Sequence, residues 1–287
     1  MNVNTLVQHY MEWADRYFRD AQGKPTSRVA VVRTVLEVLV EHYAPQDADS
    51  FRPNDLRALR DKWIERGLAR TTVNNYTAVV RSVWKWGAGR EMVAPETVAA
   101  LSYVEDIPKG RGLAVEPEPV EPVPDEYIEA VLPHLPDEAR VLVDLQLLTG
   151  ARPGELLSLR AEDVDRSGDV WVAQLRYHKK AYAGRTRRLY FGPKAQTILR
   201  PYLLLPRPFR RYSDVAAYRR AVARACRRAG VEPWSPNQIR HTAATRIRKE
   251  WGLEAAQIML GHAKADVTQV YAERDEEKAL AVAAHAG

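Results

Sequence analysis

The sequence predicts a mainly α-helical protein with a small β-sheet: an all-α N-terminal bundle, then a mixed α/β C-terminal domain. Three observations predict it. Helical apolar periodicity recurs through residues 1–107, with cap and breaker residues between the runs. A proline-dense stretch follows at 108–124. Strand-like alternation then appears at 169–177 and 187–191 inside an otherwise helical second half.

Leu6, Tyr10, Trp13 and Tyr17 share one helical stripe and define the first helix. Val29–Tyr43 is a second apolar-periodic run, with Ser27 placed as its N-cap. Pro53-Asn54-Asp55 opens a third helix that ends near Gly67. Thr71 or Thr72 caps a fourth, which carries Tyr76, Val79, Val80, Val83 and Trp84 and stops near Gly87. A short fifth follows Pro95, completing a small bundle. Prolines 108, 117, 119, 122 and 124 deny helix to the next segment, so 108–124 reads as an extended spacer between domains 1–107 and 125–287. Beyond it, Asp125–Leu132, Asp137–Leu148 and Glu155–Leu159 read as helices. Asp169–Tyr177 and Arg187–Phe191 read as a hairpin around the basic turn HKKAYAGRT. After Gly192-Pro193 the pattern is helical to the end, broken near Pro206, across Gly230–Pro236 and at Gly252.

A chain of 287 residues suits two domains at roughly 150 residues each. Its 46% hydrophobic content excludes wholesale disorder. The single cysteine, Cys226, excludes a disulfide within the chain and argues against a cysteine metal site. Histidines 9, 42, 134, 178 and 285 show no metal-ligand spacing, so no metal or other cofactor is expected. There is no signal-peptide pattern and no apolar run near the ~18–20 residues of a membrane span, so a cytoplasmic protein is expected. The net charge of +6 is too small to name a partner, but it is unevenly placed. Residues 1–107 are neutral, 108–124 carry −1, and 125–287 carry +7.

Three clusters in that basic part carry chemistry. They are Thr149-Gly150-Ala151-Arg152-Pro153-Gly154-Glu155-Leu156, then Pro236-Asn237-Gln238-Ile239-Arg240-His241, then Leu260-Gly261-His262 with Tyr271 nine residues on. Alone, each has an ordinary reading: a surface ion-pair arginine, a satisfied histidine, a packed tyrosine. In this order and spacing, with a lysine in the hairpin between them, they resemble the tyrosine recombinase (phage-type integrase) family. The resemblance covers 125–287 and extends more loosely to the N-terminal bundle, which is similar to the family's SAM-like core-binding domain.

The resemblance implies an enzyme that breaks and rejoins DNA through a 3′-phosphotyrosyl bond, without metal or ATP. Tyr271 is then the nucleophile and His262 assists it or donates to a phosphoryl oxygen. The hairpin lysine protonates the leaving 5′-oxygen. Lys179, at the end of the first strand, is the preferred candidate, with Lys180 beside it as the alternative or as a DNA backbone contact. Arg152 and Arg240 suit the non-bridging oxygens, because two guanidiniums clamp a phosphorane bidentately with fixed charge. Glu155, one turn after Arg152, is placed to orient it. His241 faces elsewhere and reads as structural. One position departs from the family: Asn237 stands where a histidine is usual, and an amide cannot carry a proton. An active enzyme that tolerates Asn237 is the favoured reading. A catalytically silent DNA-binding protein on the same fold, and a type IB-like relaxing enzyme, are the alternatives.

Duplex DNA is the expected partner, held by its phosphates. Candidate contacts are Lys180, Arg185, Arg187 and Arg188 at the hairpin, Arg207, Arg210 and Arg211, and Arg219, Arg220, Arg227 and Arg228. In the neutral N-terminal part they are Arg70, Thr71 and Asn74 at a helix start, and Arg81 and Lys85 one turn apart. Trp84 and Trp86 read as core, not as base-stacking residues. The resemblance also implies a tetramer on DNA, with the apolar tail 279–284 docking on a neighbour or folding back on its own domain.

Overall fold

The computed structural model describes residues 1–20, 23–175 and 187–261. These fall into two compact units divided between Pro119 and Val120. Lys179, Lys180, Arg185, His262, Tyr271 and the tail 279–284 lie outside the described residues.

The first unit is all-helical: α1 (Val3–Tyr17), α2 (Ser27–Tyr43), α3 (Pro53–Glu65), α4 (Arg70–Ala88) and α5 (Pro95–Ser102). Asn2 caps α1 by accepting from the Thr5 amide at 2.9 Å. The buried stripe of α1 is Val3, Leu6, Val7, Tyr10 and Ala14, while Tyr17 stays exposed. The N-cap of α2 is Thr26, one residue before the expected Ser27. Ala69 stands at the N-cap of α4, so Thr71 and Thr72 sit inside its first turn instead of capping it. Trp84 is fully buried, stacks on Phe51 at 4.5 Å and donates to the Ala48 carbonyl. Trp86 is half-buried against Tyr10 and Trp13, with the Arg90 guanidinium 4.3 Å above its ring.

The proline-rich segment is not a uniform spacer. Its first part belongs to the helical unit: Val115 bridges Ala69 in parallel, its carbonyl accepts from Arg70 N at 2.7 Å, and Ala114 is buried. Its end belongs to the second unit, where Val123 is buried and its amide donates to Thr242 Oγ1 at 2.9 Å. Proline prevents helix here but does not prevent docking through carbonyls and apolar side chains.

The second unit holds α6 (Asp125–Val131), α7 (Asp137–Thr149), α8 (Pro153–Leu157), a three-stranded antiparallel sheet, α9 (Pro193–Leu199), α10 (Val215–Ala229) and α11 (Pro236–Leu260). The strands are β1 (Val164–Asp165), β2 (Trp171–Leu175) and β3 (Arg187–Phe191), in spatial order β1-β2-β3. β3 matches the expected strand, and Arg187 pairs with Leu175. β1 is a two-residue strand too short to leave an alternation pattern. Residues 205–214 are irregular, a longer break than the one expected near Pro206. Gly252, at φ 86° and ψ 177°, interrupts α11, as the break expected there requires.

Candidate active site

The two arginines of the sequence motifs reach one place by different routes. α7 ends at Gly150, which adopts the left-handed conformation at φ 64° and turns the chain at once into α8. A Cβ on Gly150 would stand 2.6 Å from Leu260 Cδ2, so the turn also needs glycine for space. Arg152 follows as the N-cap residue of α8, with its side chain 43% exposed. Arg240 sits on the second turn of α11 and is 2% exposed. Its guanidinium donates to the Gly150 carbonyl at 2.7 Å and the Leu260 carbonyl at 2.8 Å. Arg240 therefore staples the α7–α8 turn to the far end of its own helix.

Glu155 is the shared partner. Its carboxylate accepts from the Arg152 amide at 2.9 Å and from Arg152 Nη1 at 2.8 Å. Arg240 Nη1 lies 3.9 Å from the same carboxylate. A third guanidinium, that of Arg187, meets Glu155 through Nε and Nη2, both at 3.3 Å. Burial pushes the Glu155 carboxyl upward, but Arg187, the Arg152 amide, Arg152 and Arg240 together outweigh it and hold it below the ordinary glutamate value. Three guanidiniums around one carboxylate leave a local excess of two positive charges. His241, next to Arg240, is held below the ordinary histidine value by burial and then by the Arg240 charge.

Gln146 was not singled out by the sequence. It is fully buried on α7, and its Nε2 donates to the Ala151 carbonyl at 3.2 Å and the Pro236 carbonyl at 3.0 Å. Its Oε1 accepts from Tyr218 Oη at 3.1 Å. It thus pins the residue before Arg152 to the residue before Asn237. A buried glutamine inside an apolar helix was the available signal. Asn237 itself is exposed on the first turn of α11.

The model of the phage integrase family matches residues 126–278, more than half of the chain. The chain belongs to the phage integrase family. It is a tyrosine-type site-specific recombinase, and a silent DNA-binding protein on the same fold is not the favoured alternative. Among curated relatives, tyrosine recombinase XerC of Corynebacterium glutamicum is 25% identical over 295 residues, covering 97% of this chain and 90% of its own. Tyrosine recombinase XerD of the same organism is 27% identical, covering 75% and 93%. Among solved structures, a lambda integrase dimer bound to a COC′ core site superposes with a TM-score of 0.74 at 13% identity, covering 96% of this chain and 97% of that one. The Tn1549 transposon integrase in complex with transposon right end DNA gives 0.73 at 17% identity, covering 100% of both chains. These likenesses carry the fold.

The DNA contacts expected of this recombinase divide once placed. Arg187 is buried and committed to Glu155 and to the Met259 carbonyl at 3.0 Å, which is not the setting of a surface phosphate contact. Arg70 donates to Glu116 at 2.7 Å and to the Ile107 carbonyl at 3.1 Å. Asn74 exchanges two hydrogen bonds with the Ile107 backbone. Arg81 donates to the Val104 carbonyl at 2.9 Å and to Asp106 at 2.8 Å. These three side chains fasten the segment after α5 onto α4. Thr71, Lys85, Arg188, Arg207, Arg210, Arg211, Arg219, Arg220, Arg227 and Arg228 are exposed. Among the described residues, no helix is long and apolar enough to cross a membrane.

Proposed function

We propose that this recombinase cleaves and rejoins duplex DNA at Tyr271. The Tyr271 phenolic oxygen attacks phosphorus and the P–O5′ bond breaks. A 3′-phosphotyrosyl bond forms, and the freed 5′-oxygen takes a proton from Lys179. The phenol proton passes to water or to a base other than Asn237, whose amide accepts no proton. Arg152 and Arg240 neutralise the non-bridging oxygens while charge accumulates on them, and each contributes on the order of 10²–10³ in rate. His262 donates to a phosphoryl oxygen or positions the nucleophile. The covalent bond conserves the phosphodiester energy, so a second 5′-hydroxyl reverses the step without ATP.

The observation that carries this reading is the convergence of Arg152 and Arg240 on Glu155, at 2.8 and 3.9 Å, from motifs 88 positions apart in the sequence. Double-stranded DNA is the partner, gripped through the +7 C-terminal part and a few placed groups of the N-terminal part, among them Thr71 and Lys85. Phosphate-dominated binding weakens steeply with salt. Dimers and a tetramer on DNA among the solved neighbours support self-association on the site.

A nicked suicide substrate from the DNA flanking the protein's own gene tests the chemistry. A covalent adduct is expected from the wild-type protein and none from Tyr271→Phe. An adduct that survives Tyr271→Phe overturns the assignment of the nucleophile. Binding with no adduct from the wild-type protein overturns the enzyme reading.

A further inference from the structure

Among the described residues, Arg187 is the one buried arginine at the site that none of the three motifs contains. It opens β3, directly after the stretch of sequence that carries Lys179 and Lys180. Its side chain is 6% exposed, as is that of Glu155, and the two form a bidentate pair. The remaining arm, Nη1, donates to the Met259 carbonyl in the last turn of α11. Gly261 closes over the same guanidinium: a Cβ there would stand 2.6 Å from Nη1 and 3.0 Å from Cδ. Gly261 takes φ 63°, and the chain then runs directly to His262.

One planar group therefore joins three described elements at once: β3, which carries it, the Glu155 carboxylate of α8, and the last turn of α11. A lysine could not do this, since a single ammonium lacks the fork that meets both carboxylate oxygens while reaching a carbonyl. We propose that Arg187 is a positioning residue of strand cleavage, which acts through Glu155 and the end of α11 to hold β3, Arg152 on α8 and Arg240 on α11 in register. The inference rests on the cleavage reading above.

Among the described residues, the charged groups facing Glu155 are Arg152 at the start of α8, Arg187 on β3 and Arg240 on α11, with His241 beside Arg240. Arg187 contributes the largest of the attractions that keep the carboxylate ionised. Without it, less attraction opposes burial, and the carboxyl protonates at a higher pH than in the wild type. A surface phosphate contact would have none of these consequences. It would weaken DNA binding and lower the salt slope by about one counterion.

The test measures single-turnover adduct formation and DNA affinity for the full chain, wild type and Arg187→Met, Arg187→Lys and Glu155→Gln/Arg187→Met, with melting curves to confirm folding. Arg187→Met is expected to slow cleavage about 100-fold, the scale of one lost preorganised donor, with Kd changed less than about three-fold. Its rate should gain an acid limb, falling as pH is lowered, that the wild type lacks. Glu155→Gln/Arg187→Met should abolish that limb. Arg187→Lys, which keeps charge but not the fork, should fold with a lowered Tm and cleave at least ten-fold slower. A weakened Kd with an unchanged saturated rate overturns the proposal, and so does full cleavage by a folded Arg187→Lys. An absence of adduct from the wild-type protein sinks the cleavage reading and this one together, whereas a wild-type adduct with an unaffected Arg187→Met sinks this one alone.

Discussion

Arg152→Lys and Arg240→Lys are the same substitution at the two proposed clamp positions, and the structure separates their effects. Lysine keeps one positive charge but gives up the planar fork. Arg240 is 2% exposed and bonds two backbone carbonyls, at 2.7 and 2.8 Å, one from each terminal amino group. One ammonium cannot hold both, so a buried carbonyl loses its donor, at a cost of about 1–3 kcal/mol. In a unit of this size that lowers Tm by about 2–12 °C, at roughly 2–4 °C per kcal/mol. Arg152 is 43% exposed, and its side-chain partner Glu155 retains two other guanidiniums. An ion pair with one exposed member contributes about 0–1 kcal/mol, so Arg152→Lys should melt within about 4 °C of wild type. Both variants should lose on the order of 10²–10³ in cleavage, Arg152→Lys by removing a preorganised donor and Arg240→Lys by releasing the α7–α8 turn that sets Arg152. Scanning fluorimetry and the suicide-substrate assay, run on the same preparations, read the two effects separately. Equal melting temperatures for wild type and Arg240→Lys would refute the staple. Cleavage within three-fold of wild type in either variant would refute its place in the clamp.

Asn237→His should preserve or raise cleavage and leave Tm unchanged, because the site is exposed on the first turn of α11 and histidine restores a proton acceptor; a ten-fold or greater fall in adduct formation would show that the amide itself is required. Arg70→Ala should loosen the segment at 104–116, since Arg70 joins Glu116 and Ile107 to α4. Faster limited proteolysis within 108–116, with DNA affinity changed less than about three-fold, is the expected result, and a large affinity loss with unchanged proteolysis would restore Arg70 as a phosphate contact.

Most helices were legible from periodicity and breakers, because those signals are local. The start of α4 was misplaced because the threonines suggest a cap that the structure puts at Ala69. β1 escaped because two residues carry no period. The pattern Arg152, Arg240, Leu260-Gly261-His262, Tyr271 survives in linear order, and so the sequence by itself determined the family and the reaction class and nominated the two arginines proposed as the clamp. Partnership is different. Arg187 and Glu155 are 32 positions apart, Arg240 and Gly150 are 90 apart, and Arg70 and Glu116 are 46 apart. Whether an arginine faces phosphate or a buried carboxylate depends on which elements pack beside it, and an arginine codon reads the same in both cases. Only the tertiary structure decided that Arg187 is internal, that Arg70, Asn74 and Arg81 fasten the chain after α5, and that Gln146 ties the two motifs together. The physical reason is burial: desolvation obliges each of these polar groups to find a partner inside the fold, and folding brings those partners from distant parts of the sequence.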